Sequence, residues 1–219
     1  MASKRLPKTL AREFFTQVSD RYPNATPTLN ARNPFEIVVA VSLSAQTTDV
    51  AVNAITPKLF ARYPDAASMA QADVHDIEAL IDRLGLYKNK AKHLKLMSQQ
   101  LMADFDGQVP ANFAQLVTLS GVGNKTATVV MSDAFNQPGI AVDTHVSRIV
   151  KGFMLVPQKA TPDQIQTYLQ ALMPKSMWIN LHRSLIRFGR RWLTAKNPKL
   201  PEGPEWQRFA PYYRPLANS

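Results

Sequence analysis

One run constrains the folding of this chain more than any other: Leu119-Ser120-Gly121-Val122-Gly123-Asn124-Lys125-Thr126. A helical segment, 112–119, precedes it, and Ala127, Val130, Met131 and Ala134 form the buried stripe of a helix that follows. Two glycines around one apolar residue read as a tight turn between packed helices. Glycine accepts positive φ and close backbone approach, and Val122 can plug the space between the helices. Gly-x-Gly alone also fits an ordinary helix–helix connection; the longer run is more specific. Its exposed N–H groups stand at a helix N-terminus, where they can hold a phosphate.

The rest of the chain also reads as helix. Leu10, Phe14 and Val18 share a face after Pro7, and the Pro-, Asn- and Thr-rich stretch 22–33 reads as a connector. Asn33-Pro34-Phe35-Glu36 is a helix start: Asn33 caps, Pro34 suits the first turn, and Glu36 can bond back to the cap. That start signal favours a buried helix over a strand for the Val-rich run 37–43. Thr47 or Thr48 caps the next helix, with Asp49 in its first turn. Val74, Ile77, Ile81 and Leu84 make one apolar stripe, and Ala91, Leu94, Met97 and Leu101 another. Segments 124–135, 143–153, 161–173 and 177–192 complete an all-α reading. Five prolines from Pro198 onward argue for an irregular tail, either packed over helices or partly loose.

A chain of 219 residues, 45% apolar, has material for one large domain or two small ones. Its formal charge is +10, from 26 Lys and Arg against 16 Asp and Glu, which favours polyanionic partners, nucleic acid first and an acidic membrane second. No acidic residue occurs from Gln164 to Pro201, a stretch that holds Lys175, Arg183, Arg187, Arg190, Arg191, Lys196 and Lys199. On a helix, Arg183, Arg187 and Arg190 share one face, opposite Leu181, Leu185, Phe188 and Trp192. With no counter-charge nearby, that face suits phosphates better than plain solvation. The chain has no cysteine, which removes disulfides, thiol nucleophiles and thiolate metal sites. His75, His93, His145 and His182 have no zinc-like spacing. The first ten residues lack the apolar core of a secretory signal. The longest apolar stretch, 37–45, falls short of the ~20 residues a bilayer requires. The expected location is the cytoplasm, nucleoid-associated if the source is bacterial.

Two residues carry candidate chemistry. Lys125 falls in the first turn of the helix after the glycine turn, beside the positive end of the helix dipole. That potential, with partial burial, favours the neutral, nucleophilic amine. Asp143, 18 residues on in Val142-Asp143-Thr144-His145, reads as a helix N-cap. A carboxylate held ionised by backbone donors also suits a reaction in which a sugar gains positive charge as its base departs.

At these residues the chain resembles the endonuclease III branch of helix-hairpin-helix DNA glycosylases. The resemblance runs from about Asn33 to Arg191. It includes Asn33-Pro34-Phe35, Leu43-Ser44-Ala45-Gln46, Gly85-Leu86-Tyr87 with Lys90-Ala91, the hairpin, Val142-Asp143-Thr144-His145 and Gly189-Arg190. It implies a glycosylase and abasic-site lyase for damaged, oxidised pyrimidines in double-stranded DNA, working as a monomer. Lys125 would attack the sugar C1′, leaving a Schiff base from which β-elimination cuts the strand, with Asp143 assisting. Gln46 would fill the gap left by the flipped nucleotide and Leu86 would wedge the opposite strand; the alternatives are a loop amide and a core leucine. Gly121, Val122, Gly123 and Thr126 would grip a phosphate, with His145, Arg187 and Arg190 also facing DNA. The implied architecture is all-α: a six-helix domain, 27–137, and a second helical domain from 1–26 and 138–219, with the active site in the cleft between them. A flipped base fits these parts, since extrusion requires a grip, a wedge and a filler.

The family usually carries four cysteines for a [4Fe–4S] cluster; the matching positions here hold Leu193, Leu200, Gly203 and Phe209. The expectation is a domain that folds without the cluster, a small apolar core in its place, and no cofactor. Ser120 stands where proline is usual and Asn124 where a basic residue is common. An adenine-mismatch glycosylase would have another residue at position 125, and the sequence around Asp143 fits an 8-oxoguanine enzyme less well. A binding module without catalysis, or a helical scaffold, would not require both Lys125 and Asp143.

Overall fold

The computed structural model describes residues 5–216, so the signal-peptide reading of the first ten residues lies partly outside the described residues. The described residues form helices and turns with no strand, apart from an isolated bridge between Leu193 and Pro198. No described helix is long and apolar enough to cross a membrane. The chain divides into two compact units, residues 27–137 and residues 1–26 with 138–219.

The 27–137 unit contains α2 (Pro34–Leu43), α3 (Asp49–Arg62), α4 (Ala66–Gln71), α5 (Val74–Ile81), α6 (Tyr87–Asp104), α7 (Phe113–Leu116) and α8 (Asn124–Phe135). Its core is mainly aliphatic, with Val38, Val39, Leu43, Leu59, Ile77, Leu94 and Leu101 buried. The Val-rich run is helical, and Asn33 caps it by accepting the Glu36 N–H at 2.9 Å. The Glu36 carboxylate reaches one residue further back than expected, to the Arg32 N–H at 2.8 Å, and also pairs with the Arg32 side chain. Thr48, not Thr47, caps α3. The predicted helix over 112–119 shortens to one turn. Beyond Leu116 the Thr118 and Leu119 N–H groups bond three residues back, which tightens the chain into the glycine turn. Helix α4 was not singled out by the apolar stripes; an Asp65–Ser68 capping box starts it.

The other unit contains α1 (Lys8–Arg21), α9 (Thr144–Gly152), α10 (Pro162–Leu172), α11 (Trp178–Arg191) and α12 (Pro204–Gln207). Its core is aromatic. The Phe14 ring contacts Phe15, Phe153, Phe188, Trp206 and Phe209 at centroid separations of 4.6–6.2 Å, distances at which edge-to-face pairs add to burial. The proline-rich tail is packed, not loose: Trp206, Phe209 and Tyr213 are buried.

Candidate functional site

The hairpin sits on a platform made by α6. Gly121 has φ +78°, and a Cβ there would lie 3.0 Å from the His93 Cβ, so the turn requires glycine twice over. Gln100 accepts the Ser120 N–H at 2.7 Å and donates to the Thr118 carbonyl at 3.2 Å, while the Ser120 hydroxyl meets His93 Nδ1 at 2.8 Å. The Val122 side chain is buried, as a plug should be. Its N–H is not available to a phosphate, because it donates to the Leu119 carbonyl at 3.0 Å. That narrows the expected grip to the two glycines and the start of α8.

Helix α8 begins with Gly123 as N-cap and no side-chain cap. The first helical turn's N–H groups have no intrahelical partner; the Ala127 N–H is the first to bond back, to Gly123. Lys125 and Thr126 lie in this uncapped turn. The Lys125 side chain is exposed, which corrects the expectation of partial burial. Sequence periodicity placed it on the helix correctly, but exposure depends on neighbours that periodicity does not specify.

Asp143 caps α9: its Oδ1 accepts the Val146 N–H at 2.8 Å. His145, the second residue of α9, is half-buried and receives the Arg148 guanidinium on Nδ1 at 2.8 Å. A guanidinium only donates, so Nδ1 is the acceptor and the neutral ring carries its proton on Nε2. Burial, reinforced by the charges of Arg148 and Arg190 and opposed by Asp143, lowers the His145 pKa below its ordinary 6.5. Arg148 also donates to the carbonyls of Gly189 and Leu193, binding α9 to the end of α11. A Cβ on Gly189 would lie 2.8 Å from the His145 Cβ, which explains the glycine before Arg190. The bracing role of Arg148 escaped the sequence reading; its only signal was spacing, three residues after His145.

Two further candidates are displayed unusually. Leu86 is 59% exposed, not a core leucine, and has φ 59° at the start of α6. Gln46 is exposed with φ 55°. Non-glycine residues rarely adopt such angles, and they cluster where function requires them. On α11, Arg190 is exposed, but Arg187 donates to the Thr26 carbonyl and hydroxyl at 3.0 Å each, and Arg183 to the Ala25 carbonyl. Part of the expected basic face therefore braces the connector. Arg187, Arg190 and Arg191 line an open pocket of about 750 Å³ with Arg21, Tyr22 and Trp192.

The four positions matched to cluster cysteines offer no thiolate. Leu193 and Phe209 are completely buried in the aromatic core, Leu200 packs against it, and Gly203 has φ 112°. These residues do not fit an iron–sulfur cluster.

A family described as HhH-GPD superfamily base excision DNA repair protein matches residues 39–175. The endonuclease III of Bacillus subtilis is 40% identical over 188 residues, 86% of each chain, and that of Synechocystis is 42% identical over 200 residues, 90% of this chain and 89% of the relative. The chain belongs to the endonuclease III family of base excision DNA repair proteins. Among solved structures, a trapped endonuclease III–DNA covalent intermediate superposes with a TM-score of 0.87 at 37% identity, covering 91% of this chain and 93% of the other. A non-covalent endonuclease III–DNA complex gives the same TM-score at 36% identity, covering 91% and 94%. A thermostable thymine-DNA glycosylase shares the fold at 22% identity and a TM-score of 0.77.

Proposed function

We propose that this protein removes damaged pyrimidines from duplex DNA and cuts the strand at the resulting site, with Lys125 as nucleophile. The observation that carries the reading is an exposed primary amine in the first turn of α8, directly behind a helix start left uncapped. Gly121, Gly123 and the first N–H groups of α8 take a backbone phosphate. Leu86 enters the stack and Gln46 fills the gap once the damaged nucleotide is extruded. The Lys125 amine, free of its proton, attacks C1′; the C1′–N bond breaks and the base leaves with the bonding pair. The ionised Asp143 stabilises positive charge on the sugar as that bond lengthens. The attacking nitrogen gives up a proton to the departing base; the C1′–O4′ bond then opens, O4′ takes a proton to become a hydroxyl and C1′ becomes the iminium, and removal of a C2′ proton expels the 3′ phosphate by β-elimination. His145, Arg187 and Arg190 support the DNA backbone.

Oxidised pyrimidines are the proposed lesions, and the protein is proposed to act as a monomer in a cytoplasmic, nucleoid-associated pool. The 1–26 and 138–219 unit is proposed to fold without an iron–sulfur cluster, its aromatic core taking that structural part. Purified protein should contain no stoichiometric iron, and chelation should leave its melting temperature unchanged. The functional test is a panel of duplexes, each with one lesion, scored separately for base release and strand scission. Both products should appear together at an oxidised pyrimidine. Base release with no scission would mean that water, not an amine, is the nucleophile.

A further inference from the structure

Lys90 is a buried cation to which the mechanism above gives no task. Its residue is 8% exposed, and its ammonium donates to the Leu43 carbonyl at 2.9 Å and to the Thr47 hydroxyl at 2.7 Å. Both acceptors are neutral oxygens, and burial lowers the Lys90 pKa from its ordinary value. Holding a charge there is costly unless the contacts are specific. Those contacts lie on either side of Gln46. At the same time the Lys90 backbone N–H donates to the Leu86 carbonyl at 3.0 Å. Lys90 therefore holds the Gln46 loop through its side chain while standing in the first turn of the helix that Leu86 opens, where its N–H makes the first helical bond to the Leu86 carbonyl. Both loops hold their exposed residue at positive φ, 55° at Gln46 and 59° at Leu86, a conformation that persists only where the surroundings enforce it.

We infer that Lys90 is a positioning residue that couples the Gln46 and Leu86 loops, so that the two insertions into the duplex are made together when a nucleotide is extruded. The inference rests on the reading of Gln46 and Leu86 as DNA-inserting residues. A methionine at position 90 would preserve the packing volume while removing both side-chain hydrogen bonds.

The test compares single-turnover excision of thymine glycol in a fully paired duplex with excision of the same base in a bubble, where it is already unstacked. Lys90→Met should slow the paired reaction at least about tenfold, as misplacement of positioning groups does, while the bubble rate and binding to undamaged duplex stay within about twofold. Equal losses on both substrates, or no loss on either, would overturn the inference. Should Lys90→Met fail to fold, Thr47→Val removes one of the same bonds from the opposite side and should show the same bias toward the paired substrate; an unbiased effect would again overturn it. Gln46→Ala and Leu86→Ala serve as the reference. If they lower the paired rate selectively and Lys90→Met does not, the coupling role alone fails. If they show no selectivity, the reading beneath it fails.

Discussion

Helices α8 and α9 begin in opposite ways. Among the described residues Gly123 opens α8 with no side-chain cap, whereas Asp143 closes α9 with a carboxylate on the Val146 N–H. A helix start is a ready anion site. The first start is open to an anion from outside; the second supplies its own. In the proposed mechanism the open start receives the DNA phosphate beside Lys125, and the closed start holds the Asp143 carboxylate in place through the helix it caps.

The comparison can be broken most severely at Lys125. Lys125→Gln should lower base release by about 10⁴-fold or more, in the range seen when a nucleophile is deleted, while DNA binding in gel-shift assays is largely retained. Asp143→Asn separates the charge from the cap, because asparagine caps about as well as aspartate. Turnover should fall by about 10²- to 10³-fold, the usual cost of losing one fixed electrostatic group, with little change in melting temperature. A near-normal rate would reduce Asp143 to a cap. Gly123→Asp converts the open start into a closed one. Gly123 has a negative φ and open space around a built Cβ, so the substitution is sterically allowed. It should raise stability by a few tenths of a kcal/mol yet weaken duplex binding about tenfold, or ~1.4 kcal/mol. Tighter binding would refute the open-start account. Titration near the closed start gives the smallest effect. The His145 pKa is depressed on folding, so the unfolded chain binds more protons. Its contribution to stability is fully present above the ordinary 6.5 and is lost as pH falls from there through the folded value. Melting temperature should therefore drop modestly between neutral and mildly acidic pH, and His145→Gln should flatten that part of the drop.

Helix starts were legible because they are local chemistry. Asn33 and Asp143 each reach a backbone N–H three residues away, and sequence spacing contains that information. The hairpin was legible for the same reason: Gly121 must be glycine for its own φ. What escaped is tertiary. The exposure of Lys125, the capture of Arg187 by Thr26, the contacts of Lys90 around Gln46 and the bracing by Arg148 all join residues whose proximity no periodicity encodes. The sequence predicts a longer α7 because apolar residues continue past Leu116, but the backbone there has already tightened into the turn. The tail illustrates the limit from the other side. Proline content announced irregular backbone, but only the buried rings of Trp206, Phe209 and Tyr213 show that it is held.

The most direct test is borohydride reduction of the protein on a duplex containing one abasic site, followed by peptide mapping of the cross-linked chain. The reduced adduct should map to Lys125, and Lys125→Gln should abolish trapping. An adduct on another amine, or undiminished trapping in the variant, would contradict the account.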